Sequence, residues 1–328
     1  MKSFAFIVCP KTISDLKGLW TTMRILPDFI AKPLLHKNRL FKVSRIKNIH
    51  SVRGKEIQGY FIICPLLEVP ESKGDFILER IVNAGHFAKR LGVSILGLIS
   101  ILPEDKKYML ANRLKIPLTN GNALGAWSII EAIYRVSRIK KIDLRKSTVA
   151  IIGATGPIGK LCAKKMVDYA QRIIINDIEP ERLKKLKELM PNPNPVEIII
   201  EEDASKAVKD ADVVIVSGYF SEIQNILEGL KPDTIVCYLG KLGNISINAT
   251  IIEAGLIKLP YPIKLGLNIG LPKDIVSAAL AETMLLTLEE RFVNYCLDDF
   301  TNPDKLEEIA NIAVKHGFEV WVPQAPVL

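Results

Sequence analysis

Residues 147–164 read STVAIIGATGPIGKLCAK, and the run Ile173-Ile174-Ile175-Asn176-Asp177 follows about twenty residues after the second glycine. An apolar strand, a glycine turn, a helix and a second strand closing on an acid, in that order, predict a dinucleotide pocket. The three glycines have separate tasks: Gly153 the tight turn, Gly156 the close approach of backbone to a pyrophosphate, and Gly159 the packing of helix on strand. Ala154, Thr155, Pro157 and Ile158 complete the loop. The N–H groups at the start of the helix near Pro157 are expected to hold the phosphates. Asp177 stands where a carboxylate accepts both ribose hydroxyls, and its charge would repel a 2′-phosphate; NAD is therefore the expected cofactor, with NADP as the alternative. Asp177 also reads as a polar residue before the helix that begins around Pro180.

Outward from this motif the pattern is strict strand and helix alternation, with strands expected at 149–153, 173–177, 196–201, 213–218 and 234–239. Such alternation calls for a parallel sheet covered on both faces, and right-handed crossovers restrict it to a doubly wound, Rossmann-type topology. Ligands of such sheets lie beyond the carboxyl ends of the strands, so loops 153–159, 217–220 and 239–243 should face the nicotinamide. That adds Ser217, Gly218 and Gly240 to the cofactor-binding set, although Gly218 and Gly240 also read as ordinary strand-end turns.

The first half reads as its own α/β unit. A strand at 4–8 precedes a largely helical stretch at 13–40, broken at Pro27 and Pro33. A hairpin over 41–51 and 56–64 turns at Arg53-Gly54, a helix covers 75–91, a buried strand 94–101, a helix 106–114 and a short strand 116–118. A long helix over 122–140 ends in a strongly basic stretch, the expected hinge. The chain is thus expected to be α/β throughout: an N-terminal substrate domain at 1–140, a dinucleotide-binding domain at 147–270, and a C-terminal helical part at 271–328 returning to the first domain. Helices are expected there at 274–290 and 303–315, the latter capped by Gly317.

Composition excludes several classes. The 328 residues carry a net charge of +8, from 44 basic and 36 acidic side chains, but the charges alternate along helices and no basic block is interleaved with aromatics, so no nucleic acid is expected. Five cysteines are scattered without a CxxC, and four histidines form no ligand pair; this fits a reducing, cytoplasmic setting and no metal. No apolar stretch is long enough to span a membrane. Residues 20–39 mix apolar and basic side chains, as expected of a helix that covers its own domain or receives an acyl chain.

Further motifs carry a resemblance. Thr119-Asn120-Gly121-Asn122 before the long helix, GATGPIG, Gly270-Leu271-Pro272-Lys273 leading into Ala281-Glu282-Thr283-Met284-Leu285-Leu286, and Lys315-His316-Gly317-Phe318 together resemble the long-chain acyl-ACP reductases of cyanobacteria and their bacterial relatives described as predicted amino-acid dehydrogenases. The segment around Gly59-Tyr60 and Cys64 is similar to theirs as well, and the match covers most of the chain. The domain order is also similar to that of shikimate dehydrogenase and glutamyl-tRNA reductase.

The resemblance implies that a cysteine just before the AETMLL-like segment attacks an acyl thioester, and that hydride from NADPH then releases an aldehyde, with acyl carrier protein as the partner that presents the substrate. Here that position is Ala279, and a methyl group cannot attack. The chain is therefore expected to be an oxidoreductase of this kind with a lost or replaced nucleophile, or a NAD-dependent dehydrogenase of a small amino or hydroxy acid, or a dinucleotide-binding sensor. The resemblance also implies Glu282 as acid or orienting group, and the similarity to shikimate dehydrogenase implies Lys106, with Lys107, as a lysine reaching substrate; on spacing alone both read as helix-surface charges. Asn122, with Asn120, reads as a substrate contact or a helix cap. Ser277, His86 and His316 are expected to be structural.

Overall fold

A computed structural model describes residues 1–19, 42–67, 69–70, 73–99, 102, 104–190, 196–218, 220, 223–240, 247–297 and 302–322, without the side chains of 42, 104, 105, 107 and 108. The amphipathic stretch expected at 20–39, Tyr219 and the 241–243 part of the third loop lie outside them. The chain divides into two compact units, one from 1–121, 258–299 and 311–319, the other from 122–257, 300–310 and 320–328. The first boundary thus falls at Gly121, ahead of the long helix, rather than behind that helix at residue 140. The second unit closes at Ile257 rather than at 270, and the C-terminal segment is shared between the two.

The first unit begins with β1 (Ser3–Val8), α1 (Ile13–Leu19), β2 (Lys42–His50), β3 (Glu56–Ile63), α2 (Gly74–Arg90), β4 (Ile95–Leu98), α3 (Glu104–Leu114) and β5 (Leu118–Thr119). Its sheet has the order β2-β3-β1-β4-β5, with β2 antiparallel at the edge and the other pairs parallel. The continuous apolar run Phe4, Ala5, Phe6 and Ile7 is what a central parallel strand covered on both faces requires. The hairpin turns as expected at Gly54, whose φ of 75° is in the left-handed region.

The second unit contains α4 (Asn122–Lys140), β6 (Thr148–Ile152), α5 (Pro157–Met166), β7 (Arg172–Asn176), α6 (Pro180–Leu189), β8 (Glu197–Ile200), α7 (Ala204–Lys209), β9 (Val213–Val216), α8 (Ile223–Leu227), β10 (Ile235–Leu239) and β11 (Thr250–Ala254). The sheet runs β11-β10-β9-β6-β7-β8 and every pairing is parallel. Counted from β6 this is the order 3-2-1-4-5-6 of doubly wound dinucleotide folds, with the direction of winding reversing between β6 and β9. The sixth strand, β11, was not among the expected five. Its alternation of half-buried and buried residues is short, and pairing with β10 from Ile235↔Thr250 onward defines it.

In the C-terminal region β12 (Ile275–Ser277) leads into α9 (Ala278–Leu288), and α10 (Asp304–His316) follows. The helix expected from 274 therefore starts four residues later, because Ile275 and Val276 are β-branched and extended, and the Ser277 hydroxyl accepts the Leu280 N–H at 3.4 Å as N-cap. Within the first unit, α9 packs on the sheet face that carries Phe4, Phe6 and Phe61. A Cβ at Gly97 would sit 2.5 Å from the Phe6 ring and within van der Waals overlap of the Thr283 hydroxyl, so glycine lets helix and strand approach. The opposite face is covered by α2 and α3 around Ile7, Ile62, Ile77, Ile81, Leu96 and Leu114. Among the described residues no helix is long and apolar enough to cross a membrane.

Candidate active site

In the second unit, β6 ends in Gly153, whose φ of 79° suits only glycine. The Gly153 and Ala154 N–H groups both donate to the Asn176 carbonyl at 3.0 Å, so the end of β7 fixes the loop. The buried Asn176 side chain is pinned in turn, donating to the Glu201 and Glu202 carbonyls at 2.7 and 3.1 Å. Ser217, just after β9, donates its hydroxyl to the Gly153 carbonyl at 2.9 Å. The point where the sheet reverses its winding is thus tied across by one side chain. The Phe220 ring stands 3.3 Å from where a Gly153 Cβ would be, closing the loop from the same side.

The two glycines of the helix start differ in what surrounds them. A Cβ on Gly159 would fall 2.2 Å from the Gly153 carbonyl and 2.8 Å from the Ala154 Cα, so its absence lets α5 pack on the loop. A Cβ on Gly156 would meet only the Gly153 carbonyl, at an ordinary 3.4 Å. Among the described residues no neighbour demands glycine there, and the space it leaves fits a phosphate against the backbone. Gly156 is the N-cap and Pro157 the first helical residue; the first N–H to bond back within the helix is that of Lys160, to the Gly156 carbonyl at 2.8 Å. The N–H groups of Ile158 and Gly159, with the positive end of the helix dipole, therefore suit the phosphates of a dinucleotide.

Asp177 is bound more tightly than the sequence suggested. Its Oδ2 accepts the Thr155 N–H at 2.9 Å and the Thr155 hydroxyl at 2.6 Å, while Oδ1 accepts the Ile178 N–H at 2.7 Å. Arg182, on α6, donates to the Thr155 carbonyl at 3.2 Å and to Glu179 at 2.8 Å. Ile178 is 88% exposed, an apolar face beside Asp177 on which an adenine can lie. Gly218 sits under Phe220. Gly240, with φ of 112°, gives its N–H to the Ala254 carbonyl as a strand-end turn does. Asn176, Ile178 and Arg182 are not singled out by the sequence reading, and Phe220 enters it only as the end of loop 217–220; the polar Asn176 closing an otherwise apolar strand is the available signal.

In the first unit, Ala279 is the second residue of α9, half-buried in its first turn. Gly121, with φ of 80°, lies directly against it: a Cβ there would be 2.3 Å from the Ala279 Cα. Glu282, one turn along the helix, is fully buried; its Oε1 accepts the Thr119 hydroxyl and, at 3.1 Å, the Gly121 N–H. The Thr119–Gly121 turn, Ala279 and Glu282 thus form one cluster, and Glu282 is not a helix-surface charge. Burial, reinforced by the Glu282 charge, pushes the Tyr295 phenol well above its ordinary range. A thiol at 279 would stand in the first turn of a helix, where the dipole stabilises a thiolate.

Lys106 is elsewhere occupied, donating to Asp75 at 2.6 Å between α3 and α2. Asn122, buried, is the first residue of α4, within the helix rather than ahead of it. His316 is fully buried: Nδ1 meets the Ser51 hydroxyl at 2.6 Å and Nε2 meets Glu289 at 2.5 Å, with Lys315 on the same carboxylate at 2.7 Å. Burial pulls the His316 pKa down and outweighs the attraction of Glu289, so the imidazole is neutral and structural, as expected. Among the described residues no group of three or more metal-binding side chains occurs.

Residues 148–237 match the family model described as NADP oxidoreductase, coenzyme F420-dependent. The aminotransferase PigE of a Serratia species is 21% identical over 88% of this chain, which spans only 35% of that protein's length. The long-chain acyl-[acyl-carrier-protein] reductase of Synechococcus elongatus is 24% identical over 83% of this chain and 85% of its own. Among solved structures, L-tryptophan dehydrogenase from Nostoc punctiforme aligns over 96% of this chain and 80% of that one at 11% identity, with a TM-score of 0.41. The strand order, the glycine loop and the family match make the second unit a nicotinamide-dinucleotide-binding domain of the oxidoreductase type.

Proposed function

We propose that the chain is a nicotinamide-dependent oxidoreductase that acts on an acyl-derived carbonyl by direct hydride transfer, with NAD as the preferred dinucleotide. The observation that carries this reading is Ala279 in the first turn of α9, beside Gly121 and one turn before the buried Glu282. A covalent thioester route needs a nucleophile at that turn, and alanine has none. What remains is a small-residue surface flanked by helix N–H groups, suited to a carbonyl oxygen on which negative charge develops. The bound nicotinamide would supply or accept the hydride. Glu282 holds Thr119 and Gly121 in place, so its part is to fix the shape of this surface. The similarity to the Synechococcus reductase supports an acyl substrate, which an acyl carrier protein could present. The preference for NAD rests on Asp177, whose charge opposes a 2′-phosphate.

The test is a paired assay. The unmodified chain should interconvert aldehydes and alcohols or acids with NAD(H) and release no aldehyde from acyl thioesters. Ala279→Cys should gain acyl-thioester reduction and become sensitive to iodoacetamide at position 279. Turnover confined to small amino or hydroxy acids would overturn the acyl assignment in favour of an amino- or hydroxy-acid dehydrogenase.

A further inference from the structure

Two of the five cysteines that look scattered in sequence are neighbours in space. Strands β1 and β3 are parallel neighbours whose register ends at Val8↔Ile63, so Cys9 and Cys64 are the next residues on each, side by side at the carboxyl edge of the sheet. The Cys64 N–H donates to the Val8 carbonyl at 2.9 Å, which carries the pairing up to these residues. Neighbouring strands lie about 4.8 Å apart, inside the Cα separation a disulfide bridges without backbone movement. Both side chains lie on the face covered by α2, Cys64 within its buried core and Cys9 packed against it, and the two thiols share a hydrogen bond. Cys64 is fully buried and also reaches the Arg80 carbonyl at 3.7 Å; Cys9 is half-buried. Arg80 is anchored beside them by its bond to the Pro65 carbonyl at 3.1 Å.

We propose that Cys9 and Cys64 are a reversible modification site that reacts with low-molecular-weight disulfides, Cys9 as the entering thiol and Cys64 as the resolving one. In the first step Cys9 loses its proton to solvent and attacks one sulfur of the disulfide RS–SR, giving Cys9–S–SR and RS⁻. In the second Cys64 loses its proton to solvent and its thiolate attacks the Cys9 sulfur, forming the Cys9–Cys64 bond and expelling the second RS⁻; each RS⁻ takes up one of the two protons released. The reagent is reduced by two electrons to two thiols, and the protein is oxidised by two. In the reduced pair the hydrogen bond from Cys9 and the Arg80 charge hold the Cys64 thiol below its ordinary value against the opposing effect of burial, and the same bond, with burial, holds the Cys9 thiol well above. Cys9 therefore enters by its access rather than its acidity; once it carries SR that bond is gone, and the Arg80 charge is what favours the Cys64 thiolate in the resolving step. Cys162 and Cys237 are fully buried, out of reach of the reagent, so neither should compete. The site is independent of the oxidoreductase reading.

The experiment incubates the folded full chain with glutathione disulfide, blocks remaining thiols with iodoacetamide, and maps the peptides by mass spectrometry. A Cys9–Cys64 linked peptide should accumulate until it holds most of the Cys9, and dithiothreitol should return it. Cys64→Ser should stop at glutathionylated Cys9, and Cys9→Ser should leave Cys64 reduced. The wild-type result stands without the variants should either fail to fold. Absence of the linked peptide, stable glutathionylation of Cys9 in the wild type, or linkage no faster than modification of Cys162 and Cys237 would each overturn the proposal.

Discussion

Asp177 and Thr155 are joined twice, by the threonine amide at 2.9 Å and its hydroxyl at 2.6 Å on a single carboxylate oxygen. The residue expected to read the ribose is therefore also the clasp of the glycine loop. Asp177→Ala should weaken NAD by roughly tenfold or more, because charge-assisted hydrogen bonds contribute about 1.5–3 kcal/mol, and should weaken NADP less, because the charge that opposes a 2′-phosphate goes with the clasp. Asp177→Asn keeps an acceptor for Thr155 but removes the charge. It should weaken NAD less and narrow its advantage over NADP, which calorimetric titration of both nucleotides would measure.

Gly156 and Gly159 should separate binding from folding. Gly159→Ala forces a Cβ into the Gly153 carbonyl and should cost about 1–3 kcal/mol of stability, seen as a lower thermal midpoint. Gly156→Ala meets only an ordinary contact. It should leave the midpoint nearly unchanged while weakening dinucleotide binding by about tenfold or more, if the pyrophosphate lies against this backbone.

Removing the Glu282 acceptor strands the Thr119 hydroxyl and leaves the Gly121 amide only its long bond to that hydroxyl at 3.5 Å. Glu282→Ala should cost about 2–4 kcal/mol in urea unfolding, since each buried donor without a partner costs about 1–3. Glu282→Gln retains an oxygen for them and should lose much less. Equal losses would show that the charge, rather than the acceptor, is what the cluster needs.

Acid should destabilise the first unit through His316 and Glu289. Burial lowers the His316 pKa below the ordinary 6.5. Burial works to raise the Glu289 carboxyl, but the hydrogen bonds and charges of Lys315 and His316 outweigh it and hold it below the ordinary 4.5. In both cases the unfolded chain binds protons more readily than the folded one, so stability is fully present above the unfolded values and falls as pH drops through the folded ones. Thermal midpoints should be flat near pH 7, decline below about pH 6.5, and decline again below about pH 4.5. His316→Gln should flatten the first decline; a midpoint that rises on acidification from pH 7 to 5 would refute it.

The sequence by itself determined what is local. Periodicity gave α4 at its observed bounds and the hairpin at Gly54, and the spacing of Gly153, Gly156 and Gly159 gave the loop, because turn geometry and helix starts depend on residues near one another in the chain. The resemblance pointed to Ala279 and Glu282 as neighbours on one helix, which one turn of spacing allows. Tertiary structure alone decided what comes from distant segments. It paired β11 with β10, buried Glu282 against Thr119 and Gly121, took Lys106 to Asp75, and set Cys9 beside Cys64. A side chain's partner across a sheet or under a packed helix is fixed by register and burial, and neither is written in its immediate neighbours.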